Sequence, residues 1–161
     1  MNPPDLATQL AFTFEDLAAN RAGMLTPAQR TRLRGVLLRE TIIYSIFALV
    51  PLIVLLILFD NPYINPLILL VLALIALAFV LYVVGLQRST RADLTARVSV
   101  ASGPIDLRDV GRGLYRLVIG KQSFEVSHEV FASFVNGQSY HIYFTPNLKT
   151  IVSAESTESS V

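Results

Sequence analysis

"TIIYSIFALVPLIVLLILFDNPYINPLILLVLALIALAFVLYVVGL" (residues 41–86) carries one formal charge, that of Asp60. Asp60 separates two apolar runs, 41–59 and 66–86, joined by "DNPYINP" (60–66). As helices rising about 1.5 Å per residue, the runs would reach roughly 28 and 31 Å, close to a hydrocarbon core of about 30 Å. A helix buried in a soluble bundle normally keeps a polar stripe at helical spacing, and 66–86 has none. Proline ends helices and Asn-Pro starts turns, so 60–65 reads as a short external turn. The stretch therefore predicts two transmembrane helices in an antiparallel hairpin.

Arginine assigns the sides. Arg21, Arg30, Arg32, Arg34 and Arg39 precede the first run, Arg88, Arg91 and Arg97 follow the second, and the turn between holds no basic residue. Basic residues near span ends stay cytoplasmic, so both termini are predicted to be cytoplasmic, in a membrane of the bacterial plasma-membrane type. Tyr44 and Tyr82 then fall near the inner interface and Tyr63 near the outer one, where amphipathic rings settle. Arg30, Arg34, Arg39, Arg88 and Arg91 are expected to form a collar against anionic headgroups of the lipid bilayer, each worth on the order of 1 kcal/mol. No ionisable side chain lies inside either run, which argues against an ion pathway or proton relay. No GxxxG occurs either, so the hairpin reads as an anchor whose faces for oligomerisation are unspecified.

Outward from the spans, residues 1–40 are polar, with Asp5, Glu15 and Asp16 where the apolar core of a signal peptide would stand. The first apolar run is accordingly expected to remain as an anchor. "TFEDLAAN" (13–20) predicts a short helix capped by Thr13 and closed by Gly23 in the left-handed conformation. Thr26 caps a second helix, with Pro27 at its first position and Gln29 placed for a capping box. This second helix is expected to run into the first span as one rod, bent at Pro51. The short first helix has two readings, a docking element against a partner or the cytoplasmic domain, and an amphipathic cap on the lipid surface.

Beyond a juxtamembrane linker (87–95) the periodicity changes from helical to alternating. "RVSV" (97–100), "LYRLVIG" (114–120), "SFEVS" (123–127), "SYHIYF" (139–144) and "TIVSAE" (150–155) each predict a strand. Val98, Val100, Phe124, Val126, Tyr140, Ile142 and Phe144 are the expected inward faces. "HEVFASFVNG" (128–137) reads as a short helix capped by Ser127, on the stripe Val130, Phe131, Phe134 and Val135, with a strand entering an Asn-Gly hairpin as the alternative. "IDLRDV" (105–110) reads as a solvated loop. The fold class is thus membrane α+β: a two-helix transmembrane hairpin followed by a cytoplasmic domain (96–155), a five-stranded SH3-like or OB-like β-barrel, closed or half-closed, with a disordered tail (156–161). This order of elements is similar to that of bacterial membrane proteins with NfeD-type barrels, a likeness of plan that no shared motif carries onto individual residues.

Composition narrows the function. The net charge is +1, and the segment from Arg88 onward mixes basic and acidic residues, so nucleic acid is not an expected partner. There is no cysteine, hence no disulfide and no thiolate metal site. His128 and His141 are the only histidines and lack a ligand set at metal-binding spacing. "GRG" (111–113) and "GKQS" (120–123) are turn signals without the length or following helix of a phosphate loop. No GxSxG elbow is present, and no catalytic, cofactor or metal site is expected. Tyr115 and Tyr143 sit at opposite parity to Leu114 and Ile142, which are read as inward. Each is a candidate contact for a partner, or else a rim residue lying on the membrane-proximal helix. The expected function is non-enzymatic: a membrane-anchored protein whose barrel binds or scaffolds a protein partner or a second copy of itself. The alternative is an accessory subunit that stabilises a transporter or membrane enzyme through its hairpin.

Overall fold

The computed structural model describes residues 6–59 and 65–157. Tyr63, nearly all of the turn 60–65 and the end of the tail lie outside the described residues. Two compact units divide the chain, Met1–Arg30 with Asp93–Val161, and Thr31–Ala92.

In the first unit, α1 (Leu6–Gln9) and α2 (Phe14–Arg21) precede the start of α3 (Pro27–Phe59). Thr13 and Asp16 form the capping box of α2, the Asp16 amide donating to Thr13 Oγ1 at 3.2 Å and the Thr13 amide to Asp16 Oδ2 at 2.9 Å. Gly23, at φ 77°, turns the chain after α2. A second box opens α3, with the Gln29 amide donating to Thr26 Oγ1 at 3.2 Å and the Thr26 amide to Gln29 Oε1 at 3.3 Å. The strands are β1 (Ser99–Gly111), β2 (Leu114–Ile119), β3 (Gln122–Val126), β4 (Ser139–Phe144) and β5 (Ile151–Ser156), with the short helix α5 (His128–Ala132) between β3 and β4. The helical reading of 128–137 is the observed one, with the Ser127 hydroxyl accepting from the Val130 amide. Val135, at the end of the expected stripe, is exposed.

The sheet is antiparallel, in the order β3-β2-β1-β4-β5. β1 belongs to two ladders: Ser99–Pro104 pairs with β4, and Ile105–Gly111 with β2. The change of partner falls at Gly103, whose φ of 141° favours glycine, and at Pro104, which has no amide to give a ladder. The loop expected at 105–110 is therefore strand. Its alternation (Ile105 buried, Leu107 half-buried, Asp106 and Arg108 exposed) is regular but hidden by the charges. Arg112 (φ 57°) and Gly113 (φ 76°) make the two-residue, positive-φ hairpin from β1 to β2.

One core joins both ladders. Ile105, Leu117, Ile119, Phe124, Phe134, Tyr140, Ile142, Phe144 and Ala154 are buried together, with Leu6, Leu10, Val126, Val130 and Ile151 packed against them. The Phe124 and Phe144 rings meet edge-on, centroids 5.0 Å apart. On a flat sheet, β3 and β4 would lie about 14 Å apart, three strand spacings, with parallel side chains. The sheet is therefore curled. Among the described residues no ladder joins β3 to β5, so it is an open, curled sheet rather than a closed barrel. Two inward assignments reverse. Val100 is 56 % exposed, and the inward set of β1 runs through Ala101, Gly103 and Ile105, whose small members give no apolar signal. Leu114 is 54 % exposed, and Tyr115 shares the inward parity of Leu117 and Ile119.

In the second unit, α3 continues as helix through Pro51, and α4 (Pro66–Thr95) extends the second apolar run through the expected linker. Residues 87–95 hold no glycine or proline to stop it. Tyr44 and Tyr82 meet edge-on at 5.1 Å. Toward Phe59 and Pro66, Ser45, Leu49 and Leu52 share a cleft with Val80, Val83 and Val84. As α3 advances, its neighbours on α4 fall in number, as in an antiparallel pair. Both helices are long and apolar enough to cross a membrane, and their most apolar windows are 0 % and 11 % buried.

Candidate functional site

Where β3 and β5 approach without pairing, a groove of about 500 Å³ opens along the seam. β3 supplies Ser123, Phe124, Glu125 and Val126, the turn before β5 supplies Leu148, Lys149 and Thr150, and Ile151 begins β5. Leu10 and Val130 complete an apolar lining, while Arg116 and Glu125 pair across β2 and β3 at 3.5 Å. Lys149 is held at φ 53° by the turn, in which its amide donates to the Thr145 carbonyl at 3.0 Å. A lysine in the left-handed region costs about 1–2 kcal/mol, tolerated here by a turn that is hydrogen-bonded at both ends. An edge strand beside a groove of mixed apolar and polar lining is an arrangement to which an extended peptide can add by main-chain hydrogen bonds. Phe124, Val126, Ser127 and Val130 are legible singly as strand, cap and helix positions, but the seam that gathers them is made by curling and leaves no local pattern.

The opposite face of β4 and β5 is covered by α2. Tyr143 is buried there, 7 % exposed, with its hydroxyl donating to Glu155 Oε1 at 2.8 Å. Arg21, at the end of α2, grips both oxygens of the same carboxylate. Those Arg21 hydrogen bonds hold the Glu155 carboxyl below the usual glutamate range, against the opposing effect of its burial. Burial, followed by the bond to Glu155, pushes the Tyr143 phenol above its ordinary value. Tyr143 thus faces away from the core, as its parity requires, yet presents no exposed ring to a partner. Tyr115 is half-buried against α5, its ring 5.0 Å from His128 and 4.9 Å from Phe131.

A buried polar clasp lies beside this contact. The Thr26 hydroxyl donates to Asp16 Oδ1, Gln29 Nε2 donates to the Val152 carbonyl at 3.2 Å, and Asn20 Nδ2 to Ser153 Oγ at 2.7 Å. It ties the last turn of α2 and the start of α3 to β5. Asp93, near the end of α4, is 2 % exposed and accepts from the Asn147 amide (2.9 Å), Asn147 Nδ2 (2.7 Å) and the Leu148 amide (2.8 Å). That carboxylate fixes the turn from which Lys149 reaches the groove.

Ser102, His141 and Glu155 occupy one row across β1, β4 and β5, and Ser102 Oγ lies 2.6 Å from His141 Nδ1. The row does not assemble a nucleophilic triad, since Arg21 and Tyr143 take the Glu155 oxygens instead of His141. Among the described residues no group of three or more His, Asp or Glu gathers to hold a metal.

Of the arginine collar, Arg30, Arg34, Arg39, Arg88 and Arg91 are all exposed. Arg34 and Arg91 come to one cleft, which the other three do not line. In comparison with known proteins, the chain matches no family model, no curated protein and no solved structure. The likeness of plan to proteins with NfeD-type barrels accordingly rests on the order of elements alone.

Proposed function

We propose that this chain is a membrane-anchored, non-enzymatic protein that receives a protein partner at the β3–β5 seam of its sheet domain. Two apolar helices whose surfaces are turned outward support the anchor: the core helix of a soluble protein would be mostly buried, and these windows are 0 % and 11 % buried. Flanking arginines support placing both termini on the cytoplasmic face of a bacterial-type plasma membrane. The observation that carries the partner reading is the groove itself, an edge strand beside a channel in which Leu10, Val126, Val130 and Ile151 alternate with polar residues, Lys149 and Arg116 among them. Its occupant is an extended segment of another protein, bound by main-chain hydrogen bonds to β3 and by apolar side chains alternating into the channel.

Site-specific photocrosslinking of the full chain in its native membrane tests this reading. A crosslinker at Ser123 or Lys149 should capture a partner, and one at Arg112, on the hairpin tip, should not. Adducts arising only from span positions such as Ile53 would replace this reading with that of an accessory subunit acting through its hairpin.

A further inference from the structure

On α3, Arg34, Leu38 and Thr41 are spaced by four and three residues, which puts them on one face of the helix. On α4, Thr90 and Arg91 follow Gln87 by three and four residues, which again puts them on one face. These six residues line a single cleft of about 340 Å³. Thr41 opens the first apolar run and Gln87 immediately follows the second, so the cleft sits where both helices cease to be apolar. Two guanidinium groups, the Thr41 hydroxyl and the Gln87 amide offer donors. Thr90, whose hydroxyl donates to the Leu86 carbonyl at 2.8 Å, offers an acceptor. Among the described residues no carboxylate lines the cleft.

We infer that this cleft binds the phosphate of an anionic phospholipid headgroup. Arginine recognises phosphate through paired N–H donors, and basic pockets between transmembrane helices are where such headgroups lodge. A zwitterionic choline lipid is disfavoured, because its cationic end would lie beside two arginines. A lipid is favoured over a free anion by what lies deeper between the same helices. Beyond the Tyr44–Tyr82 contact, Ser45, Leu49, Leu52, Val80, Val83 and Val84 line a second cleft of about 320 Å³, almost wholly apolar and suited to an acyl chain. Of the five collar arginines, Arg34 and Arg91 act as a site and the other three only attract diffusely. The site rests on the membrane-spanning reading of α3 and α4.

The full-length protein, extracted in neutral detergent, is titrated with phosphatidylglycerol or phosphatidylcholine and the bound lipid is counted by native mass spectrometry. Wild type should retain one phosphatidylglycerol in preference to phosphatidylcholine. Arg34→Gln/Arg91→Gln should weaken that binding by about tenfold or more, as the loss of charge-assisted phosphate contacts implies. Arg39→Gln/Arg88→Gln removes the same charge outside the cleft and should change it by less than about twofold, the residue of diffuse attraction. Arg34→Lys/Arg91→Lys keeps the charge without the planar fork, and should bind with intermediate strength. Equal losses in the two glutamine pairs, no preference between the lipids, or displacement of the lipid by millimolar inorganic phosphate would each overturn the site. Recovery of the chain in the soluble fraction without detergent would instead overturn the membrane reading beneath it.

Discussion

Tyr143 stands between Ile142 and Phe144 on β4, yet its ring faces away from theirs and is covered from the other side. Ring and hydroxyl make separable contributions. Tyr143→Phe keeps the packing and loses the bond to Glu155, at a cost of about 1 kcal/mol, whereas Tyr143→Ala empties a buried site and should cost roughly 3–5 kcal/mol. Chemical denaturation of the full chain, followed by the far-ultraviolet signal of the sheet, distinguishes the two. Comparable losses from both variants would mean that α2 does not cover this ring. Glu155 adds a pH dependence with a definite sign. Its folded carboxyl is held below the ordinary glutamate value of about 4.3, chiefly by Arg21, with Tyr143 and His141 of β4 facing the same group. The stabilisation is complete above that ordinary value and is lost as pH falls through the lower, folded one. The difference in unfolding midpoint between wild type and Glu155→Gln should thus be constant near neutrality and shrink toward zero in acid. A difference that grew on acidification would assign Glu155 the opposite role.

Elements were legible in the sequence wherever local chemistry alone forms them. Thr13 and Thr26 announce helix starts, Gly23 a helix end, and Phe124-Glu125-Val126 and Tyr140-His141-Ile142 alternate openly. β1 was legible only in its first residues, because Gly103 and Pro104 at the change of partner look like a loop when no neighbouring strand is in view. The parity of β1 and β2 failed for a related reason: Val100 and Leu114 are bulky but outward, while Ala101 and Gly103 are small but inward. The groove was not legible at all, since it forms where the curled sheet brings β3 toward β5. Asp93 belongs to the same class, a carboxylate near the end of an apolar helix whose partners lie more than fifty residues away. Asp93→Ala would strand three donors of the turn before β5 and should cost about 3 kcal/mol, the range for charge-accepting buried hydrogen bonds. Hydrogen exchange should show the protection lost first at the Asn147 and Leu148 amides. Unchanged protection there would mean that Asp93 does not hold this turn.

For the whole molecule, on the membrane-spanning reading, the side of the bilayer that the sheet domain faces determines which partners can reach the seam. Arginine asymmetry argues for the cytoplasm: Arg30, Arg32, Arg34 and Arg39 stand before the first apolar run and Arg88 and Arg91 after the second, with none in 60–65. Orientation follows such a bias when the charges lie within about 15–20 residues of the span ends, as these do. The chain has no cysteine, so single cysteines can be introduced without altering any native thiol. Ser89 lies on α4 just beyond the second run, and Asn61 lies in the connecting turn of the sequence. In intact cells, a membrane-impermeant maleimide should label Asn61→Cys and leave Ser89→Cys unmodified until the cells are opened. Labelling of Ser89→Cys but not Asn61→Cys would invert the protein and place the seam outside the cell. Labelling of both in intact cells would refute the hairpin itself, since two antiparallel spans put these positions on opposite sides of the membrane.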